Sequence, residues 1–283
     1  MKKRTVYLNK FGQKLACVLP RSLAISVAKV DVVWRFLRKK REKQVVKKNL
    51  RYCGIKDSNR NVFKTFFNYG ISLTDTFRSL NYDNASLEKM VEFNGRENLS
   101  QALKLNRGVI LITAHLGNWN LAGIYLASLG YPVTAVVEEI PGLSDIFNRI
   151  RSRTGMEIVY VREKDRMYRA LENNRILALL GDRDLTGRGL RVKFLDGEKT
   201  VPRGTAAFAL KYKAPICFGR FVLTKDKEGK KIYQAEISEP LIPKGETQGE
   251  LLQVIADRLS NYVRQFPTQW FVLDDEWLNP INN

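Results

Sequence analysis

The chain has 283 residues, enough to bury a continuous apolar core without disulfide or metal staples. Lys and Arg number 48 against 29 Asp and Glu, a formal charge of +19, which calls for an anionic counterpart: nucleic acid, an anionic membrane surface or a phosphorylated substrate. One histidine and three cysteines without paired spacing exclude a histidine-rich metal centre and a structural zinc, and they fit a reducing compartment.

The first apolar stretch, "FGQKLACVLPRSLAISVAKVDVVWRFL" at 11–37, is interrupted by Pro20, Arg21, Lys29 and Asp31. No clean run of about 18 to 20 apolar residues remains to cross a bilayer, and no small-residue cleavage pattern follows. The pattern predicts two short amphipathic helices around Pro20, able to lie in an interface or to cap the fold. "RKKREKQVVKKNLR" at 38–51 comes next, dense in Lys and Arg with Glu42 as its one acid. A basic cluster beside an amphipathic segment is drawn to anionic headgroups by about 1 kcal/mol per residue; the alternative is a solvated helix face. Residues 15–80 read as helical, with Phe63, Phe66, Phe67, Tyr69, Leu73 and Phe77 at helical spacing as core.

From residue 91 strands and helices alternate. "MVEFNG" predicts a short strand, "RENLSQALKLN" a helix, "GVILITA" a buried strand and "NLAGIYLASLG" a helix stopped by Gly130. "YPVTAVVEE" (strand), 142–155 (helix), "MEIVYVR" (strand), "DRMYRALENN" (helix) and "ILALLGD" (strand) follow. After a loop come "TAAFALKYK" as a helix, "PICFGRFVLT" and "KIYQAEIS" as strands, and a helix near 248–265. Short Val/Ile/Leu strands between helices predict an α/β fold with a largely parallel central sheet covered by helices on both faces. Even composition without repeats or linkers predicts one domain over 1–283, helical over 1–80 and α/β over 91–283.

Crossover connections place reactive groups at the carboxyl ends of strands, where both "AHLGNWN" and "GDRDLTGRG" fall. His115 follows its strand directly, and Gly117 permits a tight turn. Backbone N–H groups from Leu116 to Trp119, at the mouth of a helix, would point at an anion. A neutral histidine that removes a proton from a hydroxyl, beside donors for an oxyanion, suits acyl transfer. No G-x-S-x-G elbow, P-loop or dinucleotide fingerprint is present, which favours direct attack by the acceptor and gives a nucleotide site little support.

"AHLGNWNLAG" resembles the H-x4-D/E block of the late lipid A acyltransferases, the lauroyl and myristoyl transferase family that includes the phosphatidylinositol mannoside acyltransferases. The resemblance extends in order through "LPRSLA", "VVKKNLR", "FFNYGISLTD", "GDRDLTGRG", "VPRGTAAFALKYKAPI" and "QFPTQWFVLDDEW", nearly the whole chain. It implies an acyltransferase-like α/β fold with a membrane-apposed helical N-terminal segment, attached peripherally or monotopically to the cytoplasmic face of the inner membrane. The implied reaction moves a fatty acyl chain from acyl carrier protein or coenzyme A to a hydroxyl of a phosphorylated glycolipid or lysophospholipid. The thioester is a substrate, and no cofactor or metal is implied.

By this resemblance His115 is the general base and Asn120 stands at the position of the family's acid. Asn118 and Trp119 match the Asn-Trp pair of the block, and Asp182, Arg183 and Asp184 match an Asp-x-Asp element that orders the site; the resemblance implies that Asp182 and Asp184 serve catalysis and that Asn118, Trp119 and Arg183 contact the substrate. Arg149, Arg151 or Arg153 would face the acceptor's phosphate; a guanidinium grips phosphate through forked hydrogen bonds, and the sequence does not choose among the three.

Asn120 departs from the pattern. A carboxylate beside a catalytic histidine fixes its tautomer and stabilises the imidazolium, and an Asn in its place lowers turnover by about 10⁴ in the serine-protease triad, although papain-like sites accept Asn as orienter. The orienting group is therefore Asn120 itself or a carboxylate from another strand end: Glu138, Glu139, Asp182 or Asp184. A five-residue separation spans about 140° on a helix, so His115 and Asn120 can meet only if the histidine lies in the turn before it. Two other readings stand beside the transferase: a noncatalytic lipid-binding homologue, supported by Asn120, and a nucleic-acid binder, supported by charge alone and lacking a binding motif.

Overall fold

A computed structural model describes residues 3–139, 144–225 and 231–278. The N-terminal third is helical: α1 (Lys3–Val18), α2 (Arg21–Arg38), α3 (Lys40–Tyr52), α4 (Asn59–Arg78) and the short α5 (Asn84–Met90). Pro20 starts α2 where its lack of an N–H costs nothing, and a break at Lys39 (φ −90°, ψ 67°) separates α2 from α3. Ser58 caps α4 by accepting from the Asn61 N–H at 3.2 Å. The α/β part follows as β1 (Val91–Asn94), α6 (Arg96–Lys104), β2 (Val109–Thr113), α7 (Trp119–Ser128), β3 (Val133–Val137), α8 (Ser144–Ser152), β4 (Glu157–Tyr160), α9 (Lys164–Glu172) and β5 (Ile176–Leu180). It continues with β6 (Leu190–Phe194), β7 (Gly197–Val201), α10 (Gly204–Tyr212), β8 (Ile216–Lys225), β9 (Lys231–Ile237) and α11 (Gln248–Gln265).

Seven strands form one sheet in the order β1-β9-β8-β2-β5-β3-β4. Every neighbouring pair is parallel except β8 and β9, so the expected largely parallel sheet holds. The exception follows from connection length, because the few residues between β8 and β9 can only reverse the chain. β2 lies between β5 and β8 with both faces covered. Ile110 and Ile112 point into a core shared with α10 and α11, while Val109 and Leu111 point into a second core shared with α6 and α7. The strand's unbroken apolar run is thus two alternating faces, each buried.

The expected elements were found within a residue or two at most ends. The helix expected over 142–155 is α8, and the positions 142 and 143 of that range lie outside the described residues. One correction concerns the stretch after residue 182, expected as loop: it contains the antiparallel hairpin β6–β7, which packs on α11. "LRVKF" and "GEKTV" alternate in-and-out side chains, and the hairpin closes over Leu195 and Asp196, with Leu195 at φ 53°. Asp196-Gly197 between two alternating runs is itself a hairpin signal that the loop expectation passed over; the turn residues are Leu195 and Asp196, one position before an Asp-Gly turn.

Helix α2 packs its Ala24 and Val32 inward; Gly70 of α4 lets the helices close, since a Cβ there would stand 2.9 Å from a Val32 methyl. Its other face leaves Leu23, Val27, Val30, Trp34 and Leu37 exposed, and nearby Lys29, Arg38, Lys39, Lys40 and Arg41 are exposed as well. Among the described residues no helix is long and apolar enough to cross a membrane.

The helical part is fastened to the sheet by a buried carboxylate. Asp75 of α4 is fully buried and accepts a two-pronged bond from Arg21 of α2, Nε to Oδ1 at 2.8 Å and Nη2 to Oδ2 at 2.7 Å. The Tyr233 hydroxyl of β9 donates to the same Oδ2 at 2.8 Å. Removing one partner of such a cluster strands the others, which costs about 3–5 kcal/mol, whereas an exposed pair is worth about 1 kcal/mol or less. Asp75→Ala is therefore expected to lower the denaturant midpoint far more than Asp31→Ala, which breaks the exposed pair with Arg35. Equal effects would contradict this account.

Candidate functional site

His115 lies between the carboxyl end of β2 and α7, and both of its main-chain polar groups are fixed. Its N–H donates to Asp182 Oδ2 at 3.0 Å, and its carbonyl accepts from the Phe271 N–H at 2.8 Å. The imidazole Nδ1 lies 2.8 Å from Asp182 Oδ1, so one carboxylate holds both the backbone and the ring. Asp182 follows β5, the strand paired with β2, and is fully buried. Its Oδ2 also accepts from the Trp270 indole N–H at 2.8 Å.

Burial pushes the Asp182 carboxyl up, but the His115 ring, the Lys199 charge and the Trp270 N–H outweigh it and hold the group well below the usual carboxylate range. With Asp182 ionised, Nδ1 carries the proton and donates, leaving Nε2 as the acceptor nitrogen. The His115 side chain keeps 15% of its surface exposed, so the ring remains open to a substrate. Trp119 stands edge-on to the ring at 5.0 Å between centroids and leans on Phe271 at 6.2 Å, forming an apolar wall.

The turn beneath the histidine is tightly built. Gly117 has φ 63°, and a Cβ there would collide with the Phe221 carbonyl oxygen of β8, so only glycine fits. Asn118 caps α7: its Oδ1 accepts from the Leu121 N–H at 3.1 Å and from the Thr76 hydroxyl at 2.9 Å. Its Nδ2 donates to the Ser72 carbonyl at 2.9 Å and lies 3.3 Å from the Tyr233 hydroxyl. Asn118 is fully buried and spends its amide inside the fold, which leaves none of it for the substrate contact expected from sequence.

The backbone donors expected at this turn need a correction. The Gly117 N–H donates to the Gln269 carbonyl and the Asn118 N–H to the Phe221 carbonyl, each at 2.8 Å. The segment around Trp270 crosses the turn as a short antiparallel bridge with Leu116, which uses donors the sequence left open.

Asn120 does not meet His115. It lies in the first turn of α7, and its Oδ1 accepts from Arg151 Nη2 of α8 at 2.6 Å. The countercharge thus comes from Asp182 among the acids considered. Glu138 is exposed, Glu139 pairs with Arg162, and Asp184 closes its own loop by accepting from the Thr186 N–H at 2.9 Å and the Gly189 N–H at 2.6 Å. Among the three arginines Arg149 is exposed and Arg153 donates to the Leu80 carbonyl. Arg151 alone turns toward Asn120, and burial lowers its guanidinium to about 10. Arg183, expected to bind substrate, is engaged by Glu276 at 2.6 Å and Asp274 at 2.9 Å.

Three residues beside the site had no individual role in the sequence reading: Trp270, Lys199 and Glu276. Trp270 lies in "QFPTQWFVLDDEW", which marked the segment without showing what its indole touches. A lysine in a charged hairpin carries no sign of burial, and Lys199 is 1% exposed. No group of three or more acidic, histidine or cysteine side chains able to hold a metal occurs among the described residues.

The geometry carries a pH signature. Asp182 is held below its unfolded value, so its contribution to stability is present above the ordinary carboxylate range and is lost as pH falls through and below it. Thermal stability of the wild type is expected to fall as pH drops from about 5 toward 3, with a visibly flatter slope in Asp182→Asn. Parallel slopes in the two proteins would show that the carboxyl is not held down.

The description "Bacterial lipid A biosynthesis acyltransferase" matches residues 2–279. The phosphatidylinositol mannoside acyltransferase of Mycolicibacterium smegmatis is 26% identical over 216 residues, covering 74% of this chain and 69% of the relative. Its Mycobacterium tuberculosis counterpart is 26% identical over 226 residues, covering 76% of this chain and 69% of the relative. A family match over nearly the full length, on an α/β frame of the expected kind, leaves one conclusion: the chain belongs to the bacterial lipid A biosynthesis acyltransferase family.

Proposed function

We propose that this acyltransferase moves a fatty acyl chain from an acyl-carrier-protein or coenzyme A thioester to a hydroxyl of a phosphorylated glycolipid or lysophospholipid. The observation that carries the reading is the His115–Asp182 pair, with Nδ1 held at 2.8 Å by a buried carboxylate and no bond to Nε2 among the described residues. Nε2 takes the proton of the acceptor hydroxyl as its oxygen attacks the thioester carbonyl. That attack forms the ester C–O bond; the tetrahedral adduct then collapses, re-forming the carbonyl as the C–S bond breaks, and the imidazolium gives its proton to the departing thiolate. Asp182 orients the ring and balances the imidazolium charge, without being protonated itself. A direct transfer of this kind needs no serine or cysteine nucleophile.

Arg151 is the arginine proposed to meet the acceptor's phosphate. It is the one of the three that turns toward α7, and its protein partner there is the neutral amide of Asn120. Among the described residues no carboxylate pairs with it, and a phosphate would supply that charge. The noncatalytic reading draws its support from Asn120; the Asp182 carboxylate beside the ring supports the catalytic one. The relatives named for acylating a phosphatidylinositol mannoside make a phosphoinositide-based glycolipid the first acceptor to try.

The membrane reading rests on α2. Leu23, Val27, Val30, Trp34 and Leu37 recur at helical spacing and are exposed, beside exposed basic residues at 38–41. Such a face inserts shallowly at an anionic interface. The proposed location is the cytoplasmic face of the inner membrane, peripheral or monotopic.

Acyl transfer by purified protein, with labelled donors of both kinds and membrane lipid extract, tests the chemistry. His115→Ala is expected to lose about 10²–10⁴ in kcat and Asp182→Asn up to about 10⁴, while Asn120→Asp keeps catalysis but raises KM for a phosphorylated acceptor by neutralising Arg151. Absence of transfer with either donor, or full activity in His115→Ala, would sink the proposal. Sedimentation with vesicles of mixed zwitterionic and anionic lipid tests the surface. Val30→Ser combined with Trp34→Ser should release the protein at least tenfold more readily, and unchanged binding would reject α2 as the lipid-facing helix.

A further inference from the structure

Lys199 of β7 is buried to 1% exposure, and its position is costly. Its ammonium donates to Glu276 Oε2 at 2.9 Å, but that carboxylate is shared, because Oε1 accepts from Arg183 Nε at 2.6 Å. Arg183 takes a second carboxylate, Asp274, at 2.9 Å. Three aromatic rings also lie around the ammonium: Phe194 at 5.3 Å, Trp270 at 5.5 Å and Trp277 at 5.7 Å to the ring centres. A buried ion pair of this sort stabilises a fold no better than a well-packed apolar side chain of the same volume. What an apolar side chain cannot provide is a field.

That field has a defined target. Trp270, whose face the ammonium covers, is the residue whose indole N–H donates to Asp182 Oδ2 at 2.8 Å. A cation over the indole draws electron density from the ring and makes the N–H a stronger donor. We infer that Lys199 is a positioning residue for the His115–Asp182 pair, and that the balance between Lys199 and Glu276 sets how strongly Asp182 supports a protonated imidazole. The inference rests on the reading of His115 as the general base.

The direction of the effect follows from charge. Lys199 and His115 both draw on the single negative charge of Asp182, so the lysine keeps the carboxylate ionised while limiting its pull on an imidazolium. Glu276 opposes the lysine. The charged groups around the pair are Asp182 and Arg183 from the end of β5, Lys199 from β7, and Asp274 and Glu276 from the C-terminal segment. On the α7 side the cation of Arg151 is held by Asn120. Loss of Lys199 therefore favours the protonated ring, and loss of the Glu276 charge disfavours it.

The chain has one histidine, so its imidazole can be followed by NMR in histidine-labelled full-length protein without assignment and without substrate. Wild type, Lys199→Met, Lys199→Arg and Glu276→Gln would be titrated and then assayed for acyl transfer across pH. In Lys199→Met the transition of the ring should move to higher pH by about half a unit or more, and the acid limb of kcat should follow it with KM unchanged. Lys199→Arg, which keeps the charge, should stay with the wild type, and Glu276→Gln should move to lower pH. A common transition in all folded variants would overturn the inference, as would loss of activity in Lys199→Met with the transition unmoved. If Lys199→Met does not fold, the other two variants decide: Glu276→Gln must move downward while Lys199→Arg does not. If the ring moves as stated and no acyl transfer is found, the charge network stands and the proposed chemistry fails.

Discussion

The carboxylate of Asp182 accepts from three donors: the His115 main-chain N–H, the His115 ring and the Trp270 indole. These belong to the end of β2 and to the segment that follows α11, while Asp182 itself follows β5. Three stretches far apart in sequence are thus tied at one buried point. An ionised carboxylate without water is tolerated only when its lone pairs are filled, and here the filling groups are those that define the site. Displacing any of them would leave a buried charge short of partners, so the geometry of the site and the closure of the sheet edge are one constraint.

The frame around this point is built for close approach. Gly117 allows the chain to turn against the β8 backbone, and Asn118 then starts α7 while tying it to Ser72 and Thr76 of α4. From Asn118 the polar contacts continue through Tyr233 to Asp75 and Arg21, at the start of α2. The helix whose apolar face is exposed is therefore joined by buried polar contacts to the cap beside His115. Under the proposed function, this places the lipid-facing helix and the reacting atoms on one rigid scaffold.

Asn120 has a different partner in space from the one that the order of motif positions suggests. At the place of the family's acid it suggests a weakened histidine, because a carboxylate five residues on is assumed to serve the base. In the folded chain that position meets the arginine of α8 instead, at 2.6 Å, and the histidine is paired with a carboxylate that follows another strand. The change from acid to amide alters the charge next to Arg151 and leaves the carboxylate beside the ring in place.

Much of the frame was legible because it depends on local pattern. The apolar runs of β2 and β5 and Gly130 after α7 report short-range sterics and burial, so strands, helices and the parallel sheet could be read in order. His115 stood out because a polar ring after a buried strand falls where α/β sheets expose functional groups. The hairpin β6–β7 was legible in part, since Asp196-Gly197 between alternating runs marks a turn, but the turn sits one residue earlier, with Leu195 at positive φ. The pairing of His115 with Asp182, of Asn120 with Arg151, and of Lys199 with Glu276 could be decided only by tertiary structure. Each joins residues at least 31 positions apart, a separation over which sequence offers candidates and the sheet's strand order makes the choice.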